Sequence, residues 1–176
     1  SELLGLPYFY FMPTVQQFSP SLQGHGHAVV TRLPMVKALE KYLPRIGDRE
    51  FRGAIGAEIP LADGKTLHAW VTHLAHGGSS ADVELRRLQA EALIKLAEGS
   101  ELALIMGDMN ALPAEPAVQA FLAAGWVDVW TKRGEGPGWT FPSDYPASRI
   151  DYIFATPALA EAFVSIEVPR TLASDH

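Results

Sequence analysis

Gly107-Asp108-Met109-Asn110 sets a carboxylate and an amide two positions apart, directly after the apolar run Leu102-Ala103-Leu104-Ile105-Met106. Such a run has strand length. While a chain stays extended, residues i and i+2 point to one side. Asp108 and Asn110 would then be presented together at a strand end, where the carboxylate can polarise a water and the amide can hold a phosphate oxygen. The plainer alternative is a strand running into a turn, since Gly, Asp and Asn all form turns. Three further segments carry groups of the same kind: Thr72-His73-Leu74, Arg149-Ile150-Asp151-Tyr152 and Ser174-Asp175-His176. His73 closes the run Leu67-His68-Ala69-Trp70-Val71-Thr72. An imidazole there can donate to a phosphate oxygen or protonate a leaving group, or can simply be hydrated. His76 faces the same choice three residues on. Asp151 and His176 look like a carboxylate–imidazole dyad, in which the carboxylate accepts a ring N–H, fixes the tautomer and stabilises the imidazolium. The alternatives are an Asp151–Arg149 ion pair and a frayed Asp175-His176.

These groups need strands to hold them. Gly53 to Ile59 and Thr66 to Thr72 read as two strands joined at Asp63-Gly64, a strong hairpin-turn dipeptide. Ala28-Val29-Val30-Thr31 is a short β-rich run stopped at Pro34, and Ile150 to Thr156 and Phe163 to Val168 read as further strands. Residues 81–98 read as an amphipathic helix with Leu85, Leu88, Ala92 and Leu96 on one face. Ser79 or Ser80 would cap it, Gly99 would end it, and Glu84, Arg86, Arg87, Glu91 and Lys95 would form its solvated face. Pro116 to Ala124 reads as a second helix with Pro at its start and Gly125 just past its end. Residues 1–23 mix Pro and aromatics with little periodicity. Hairpins in one part and strand–helix alternation in another imply a mixed sheet.

The composition narrows the chemistry. The chain has 176 residues, 48% hydrophobic and 19% charged, which suits one globular domain with a sizeable core. It contains no cysteine. Thiolate metal sites, a Cys nucleophile and disulfides are therefore excluded, and a reducing, cytoplasmic setting is expected. No apolar run approaches membrane-spanning length. The formal net charge is −6, and a non-specific DNA binder usually carries a basic face. A small-molecule or lipid-headgroup substrate is therefore expected ahead of nucleic acid. Gly24-His25-Gly26-His27 invites a metal-site reading, which fails because no nearby carboxylate or cysteine completes the ligand set.

The order and spacing of the four segments resemble those of the endonuclease/exonuclease/phosphatase superfamily. Gly26-His27-Ala28-Val29-Val30-Thr31-Arg32-Leu33-Pro34 is similar to its strand before a Pro, and Trp139-Thr140-Phe141-Pro142-Ser143 to its loop before the Arg-x-Asp-Tyr strand. The resemblance implies a four-layer α/β sandwich, with two mixed β-sheets face to face and helices outside. It implies a Mg²⁺- or Mn²⁺-dependent phosphoesterase in which water attacks a phosphodiester or phosphomonoester in line. The alternatives are a DNA repair or degradative nuclease and a non-catalytic binding relative. The resemblance places His73 beside the scissile phosphate. It gives Asp108 the water and the metal, Asn110 the phosphate, and Asp175 the metal. Whether Asp108 or the His176–Asp151 pair is the base stays open. His27, His76, Trp139, Phe141 and Arg149 would line the substrate groove. The family opens with a strand bearing an Asn and a strand ending in Gln-Glu, and closes with a strand after Ser-Asp-His. The expectation is therefore a single domain over residues 1–176 that lacks those N-terminal strands and the last C-terminal one.

Overall fold

The Asp63-Gly64 turn forms as its chemistry dictates. Gly64 adopts φ +83°, Asp63 Oδ1 accepts the Lys65 N–H at 3.0 Å, and the turn joins two long antiparallel strands. The computed structural model describes residues 5–13 and 26–176, so Gly24 and His25 lie outside the described residues. In chain order the elements are β1 (Tyr8–Pro13), β2 (Gly26–Thr31), β3 (Lys37–Tyr42), β4 (Gly53–Pro60), β5 (Thr66–His73), α1 (Ser80–Leu96) and β6 (Leu102–Asp108). They continue with α2 (Pro116–Ala123), β7 (Val127–Asp128), α3 (Val129–Arg133), β8 (Asp151–Ala155) and α4 (Pro157–Ala160). Six strands form one mixed sheet in the order β3-β4-β5-β6-β8-β7, and β1 and β2 form a small antiparallel sheet. Among the described strands, only β5 and β6 pair in parallel. Their crossover is α1, as a parallel pair requires.

Side-chain alternation divides the larger sheet into two faces. Ala54, Trp70, Ala103, Ile105, Tyr152 and Phe154 pack under α1 and α2 with Leu93, Val118 and Phe121. Ile55, Ala57, Ile59, Leu67 and Val71 meet Met12 and Val29 of the smaller sheet. The two sheets therefore lie face to face, with helices outside the larger one. On the outer face of the smaller sheet, Phe9, Phe11 and Val30 are exposed. Helix α1 starts in a capping box, in which Ser79 and Asp82 satisfy each other's backbone N–H.

The expected strand over Phe163 to Val168 does not form. Its Phe163 and Ile166 still pack against Val129, Ala155 and Ala160. β7 covers only Phe154 and Ala155 of one edge of β8, and the segment packs there through its side chains without joining the ladder. β1 and β3 carried no sequence signal. Tyr8 to Met12 is apolar without alternation, and Lys-Ala-Leu-Glu-Lys-Tyr is made largely of helix formers yet serves as a charged edge strand.

Candidate functional site

Strand register brings the chemistry together. His73 is the parallel partner of Asp108, and Asp108 is the antiparallel partner of Asp151. Three adjacent strands thus present an imidazole and two carboxylates in one row. Alternation puts that row on the face opposite Trp70, Ile105 and Phe154, in the crevice between the sheets. His73 Nε2 lies 3.1 Å from Asp108 Oδ2. Gly107 permits this closeness. It has φ +135°, and a Cβ there would sit 2.0 Å from the Thr72 carbonyl oxygen. Only glycine tolerates that backbone and that contact.

The extended presentation expected for Asp108 and Asn110 gives way to a turn. β6 ends at Asp108, and Asn110 has φ +47°. The Asn110 backbone N–H donates to Asp108 Oδ1 at 2.6 Å, while Asn110 Nδ2 donates to the Leu74 carbonyl at 3.1 Å. The side chain is therefore pinned to the segment that follows His73. Burial pushes the Asp108 carboxyl upward. The bond to His73, the Asn110 N–H and the nearby imidazole charges outweigh it and hold the group below the usual range.

His176 reaches the row from the far end of the chain. Its Nδ1 lies 2.7 Å from Asp151 Oδ2 and its Nε2 3.8 Å from Asp108 Oδ2. Burial works against its charged form, but the bond and charge of Asp151 prevail and raise its pKa. Phe141 flanks it, with ring centroids 5.0 Å apart. Asp108, Asp151 and His176 each offer one ligand atom, all within 4.8 Å of one another. Asp175 stands outside that group. Its backbone carbonyl accepts the Ser143 N–H at 2.9 Å, and among the described residues its carboxylate takes only a 3.4 Å contact from Ser174.

His27 points inward from β2, and its Nε2 is buried with no partner among the described residues. Burial first, then the charges of His73 and Arg52, lowers its pKa to about 4, so it is neutral at pH 7. His76 Nδ1 faces Arg52 Nη2 at 3.3 Å. Trp139 lines a cleft of about 250 Å³ with Trp130, Thr140, Arg170 and His176. Arg149 does not pair with Asp151. It is buried, with Nη1 2.8 Å from Asp128 Oδ2 in an ion contact and its guanidinium 4.5 Å from the Tyr152 ring centroid. It braces the base of β8 and also lines a cleft with Gly107, Thr140 and Asp151. Thr140 Oγ1 accepts the backbone N–H groups of Ile150 and Asp151, both at 3.2 Å, and so fixes the dyad carboxylate from behind.

Arg86 corrects the expected solvated face of α1: it is 3% exposed. It and Gln89 grip the segment after His73, a role that helical spacing could have suggested. Arg86 lies one position from Leu85, and Gln89 one from Leu88, at the border of the apolar stripe.

A mixed six-stranded sheet facing a second, smaller sheet is the architecture shared by solved structures of endonuclease/exonuclease/phosphatase proteins. The chain belongs to the endonuclease/exonuclease/phosphatase family, whose sequence profile matches residues 1–176. Members are generally metal-dependent hydrolases of phosphate esters. Over 139 residues it is 30% identical to the uncharacterized protein YbhP of Escherichia coli K12, covering 78% of this chain and 54% of that protein. The chain thus spans about half the length of the curated relatives it matches. A family structure from Beutenbergia cavernae superposes with TM-score 0.75 at 21% identity, over 89% of this chain and 48% of that one. A mannosyl-6-phosphatase of Bacteroides thetaiotaomicron superposes with TM-score 0.67 at 23% identity, over 88% of this chain and 65% of that one. The human Nocturnin catalytic domain, solved with bound sulfate, gives 0.69 at 18% identity, over 93% of this chain and 70% of that one. No described helix is long and apolar enough to cross a membrane.

Proposed function

We propose that this protein is a divalent-cation-dependent phosphoesterase acting on a small-molecule or lipid-headgroup phosphate ester. The observation that carries it is the single cross-strand row of His73, Asp108 and Asp151, closed by His176. Asp108 is ionised at neutral pH and can orient or deprotonate the attacking water. His73 donates to a phosphoryl oxygen. Asp151 holds Nδ1 of His176, so its Nε2 faces the reacting group. Asn110 keeps its amide oxygen and one N–H for the phosphate or its water. Carboxylate oxygens with no thiolate suit Mg²⁺ or Mn²⁺. Asp108 would hold the ion, with Asp175, one residue before His176, as a further carboxylate, which leaves Asp151 and His176 paired with each other. The ion would offset charge on the phosphoryl oxygens. Trp139 and Phe141, beside His176, would wall the side where a leaving group lies, and His27, within the field of His73, would flank the other, with Arg52 and His76 beyond it.

A panel of phosphomonoesters, phosphodiesters, lipid headgroups and oligonucleotides, assayed with Mg²⁺ and with Mn²⁺, tests this. Turnover that is lost in EDTA and in Asp108→Asn supports it. Turnover of oligonucleotides alone would make the protein a nuclease. Inertness toward the whole panel would overturn the enzymatic reading and favour a binding role.

A further inference from the structure

Arg86 and Gln89 lie one helical turn apart on α1 and are 3% and 0% exposed. A buried guanidinium must find partners. Arg86 Nη1 donates to the carbonyls of Ala75 at 3.2 Å and Gly77 at 2.7 Å, and Nη2 donates to Glu115 Oε2 at 2.8 Å. Gln89 Oε1 accepts the Ala75 N–H, and its Nε2 donates to the Pro44 carbonyl, both at 2.9 Å. Glu115 in turn accepts the Leu112 N–H at 3.0 Å. The chain just after His73 is therefore held at four successive backbone groups. Leu74 N–H donates to the Asp108 carbonyl and Leu74 C=O accepts from Asn110; Ala75 N–H goes to Gln89 and Ala75 C=O to Arg86.

The cost of this arrangement is informative. Arg86 Nε is buried with no partner among the described residues. An unsatisfied buried donor costs stability, and replacing a buried ion pair with apolar groups is often neutral or stabilising. Stability alone is thus a poor reason for a guanidinium here. What it supplies is geometry, since one planar fork reaches both the segment after His73 and the segment after Asp108 and Asn110.

We propose that Arg86, with Gln89, is a positioning residue that locks the segment following His73 to the segment following Asp108-Asn110, holding imidazole and carboxylate in register. The inference rests on the phosphoesterase reading for its catalytic consequence, and on geometry alone for the lock.

The test compares wild-type protein with Arg86→Lys, and with Glu115→Gln at a milder, partly exposed site should Arg86→Lys fail to fold. Amide hydrogen exchange is followed by NMR at Leu74 and Ala75 and, as a reference, at Ile105 and Phe154 in the core. Turnover of a substrate from the panel is measured alongside. Loss of one charged hydrogen bond should speed Leu74 and Ala75 exchange by about tenfold or more, with Ile105 and Phe154 unchanged. A slackened site should lower kcat on the order of 100-fold, as a displacement of about 1 Å does, with KM little changed. A uniform rise in exchange across the core, or faster local exchange with unaltered kcat, would overturn the proposal. Protein inert toward every phosphate ester would sink the phosphoesterase reading instead, and the exchange data would still decide the lock.

Discussion

Gly107→Ala is the sharpest single perturbation of this site. Residue 107 has φ +135°, and its added Cβ would fall 2.0 Å from the carbonyl oxygen of Thr72, its parallel partner on β5. The unfavourable backbone costs about 1–3 kcal/mol. Separating two paired strands in the middle of the sheet costs about as much again, about 1–3 kcal/mol. Together the loss is about 2–6 kcal/mol, and at about 2–4 °C per kcal/mol for a chain of this size it lowers Tm by at least about 4 °C. Gly99→Ala is the control. Gly99 has φ +80°, and a Cβ there would meet nothing within 4 Å, so this variant should lose only the backbone part, about 1–2 kcal/mol. Urea unfolding of both variants at neutral pH separates clash from strain. Equal losses at the two sites would refute the close approach of β5 and β6. The same displacement parts His73 from Asp108, so any phosphoesterase activity should fall in Gly107→Ala and persist in Gly99→Ala.

Other outcomes follow from the same contacts. Asp108→Asn should abolish turnover while circular dichroism shows the fold retained. Ser79→Ala removes the helix cap and should cost about 1 kcal/mol in urea unfolding. Arg149→Leu leaves Asp128 charged and buried and should cost about 3–5 kcal/mol; a loss under about 1 kcal/mol would show that the pair is solvated. His27 has its folded pKa lowered from 6.5 to about 4, so as pH falls the unfolded chain binds the extra proton first. Its contribution is therefore complete above pH 6.5 and is lost as pH falls toward 4. Across that window wild type should lose stability relative to His27→Gln in urea midpoints, and parallel pH profiles would contradict it.

The parts of the fold that were legible in the sequence share one property: their signal is local. Asp63-Gly64 is a turn by its own chemistry, and α1 announces itself by its period and its Ser79 cap. β1 and β3 were not legible, because a strand without alternation and an edge strand made of Lys, Ala, Leu and Glu are defined only by their partners. The same holds at the site. Asp151 beside His176 could be proposed from residue types, yet the partner of Arg149 could not be. Asp128 lies 21 positions away in sequence, and only the two-residue pairing of β7 with β8 brings it near.

The register explains why these residues act at one end of the sheet. β5 and β6 run parallel and so finish at the same rim, while β8 runs antiparallel and begins there. One crossover helix therefore delivers two strand ends and one strand start to a single row. The i+1 step from Thr72 to His73 and from Gly107 to Asp108 turns each of these side chains away from the helices and into the crevice between the sheets. A one-residue slip of β6 would send Asp108 into the apolar layer beside Trp70 and Phe154. Burying that carboxylate would cost far more than the ladder gains, so the hydrophobic pattern that fixes the core also fixes the site.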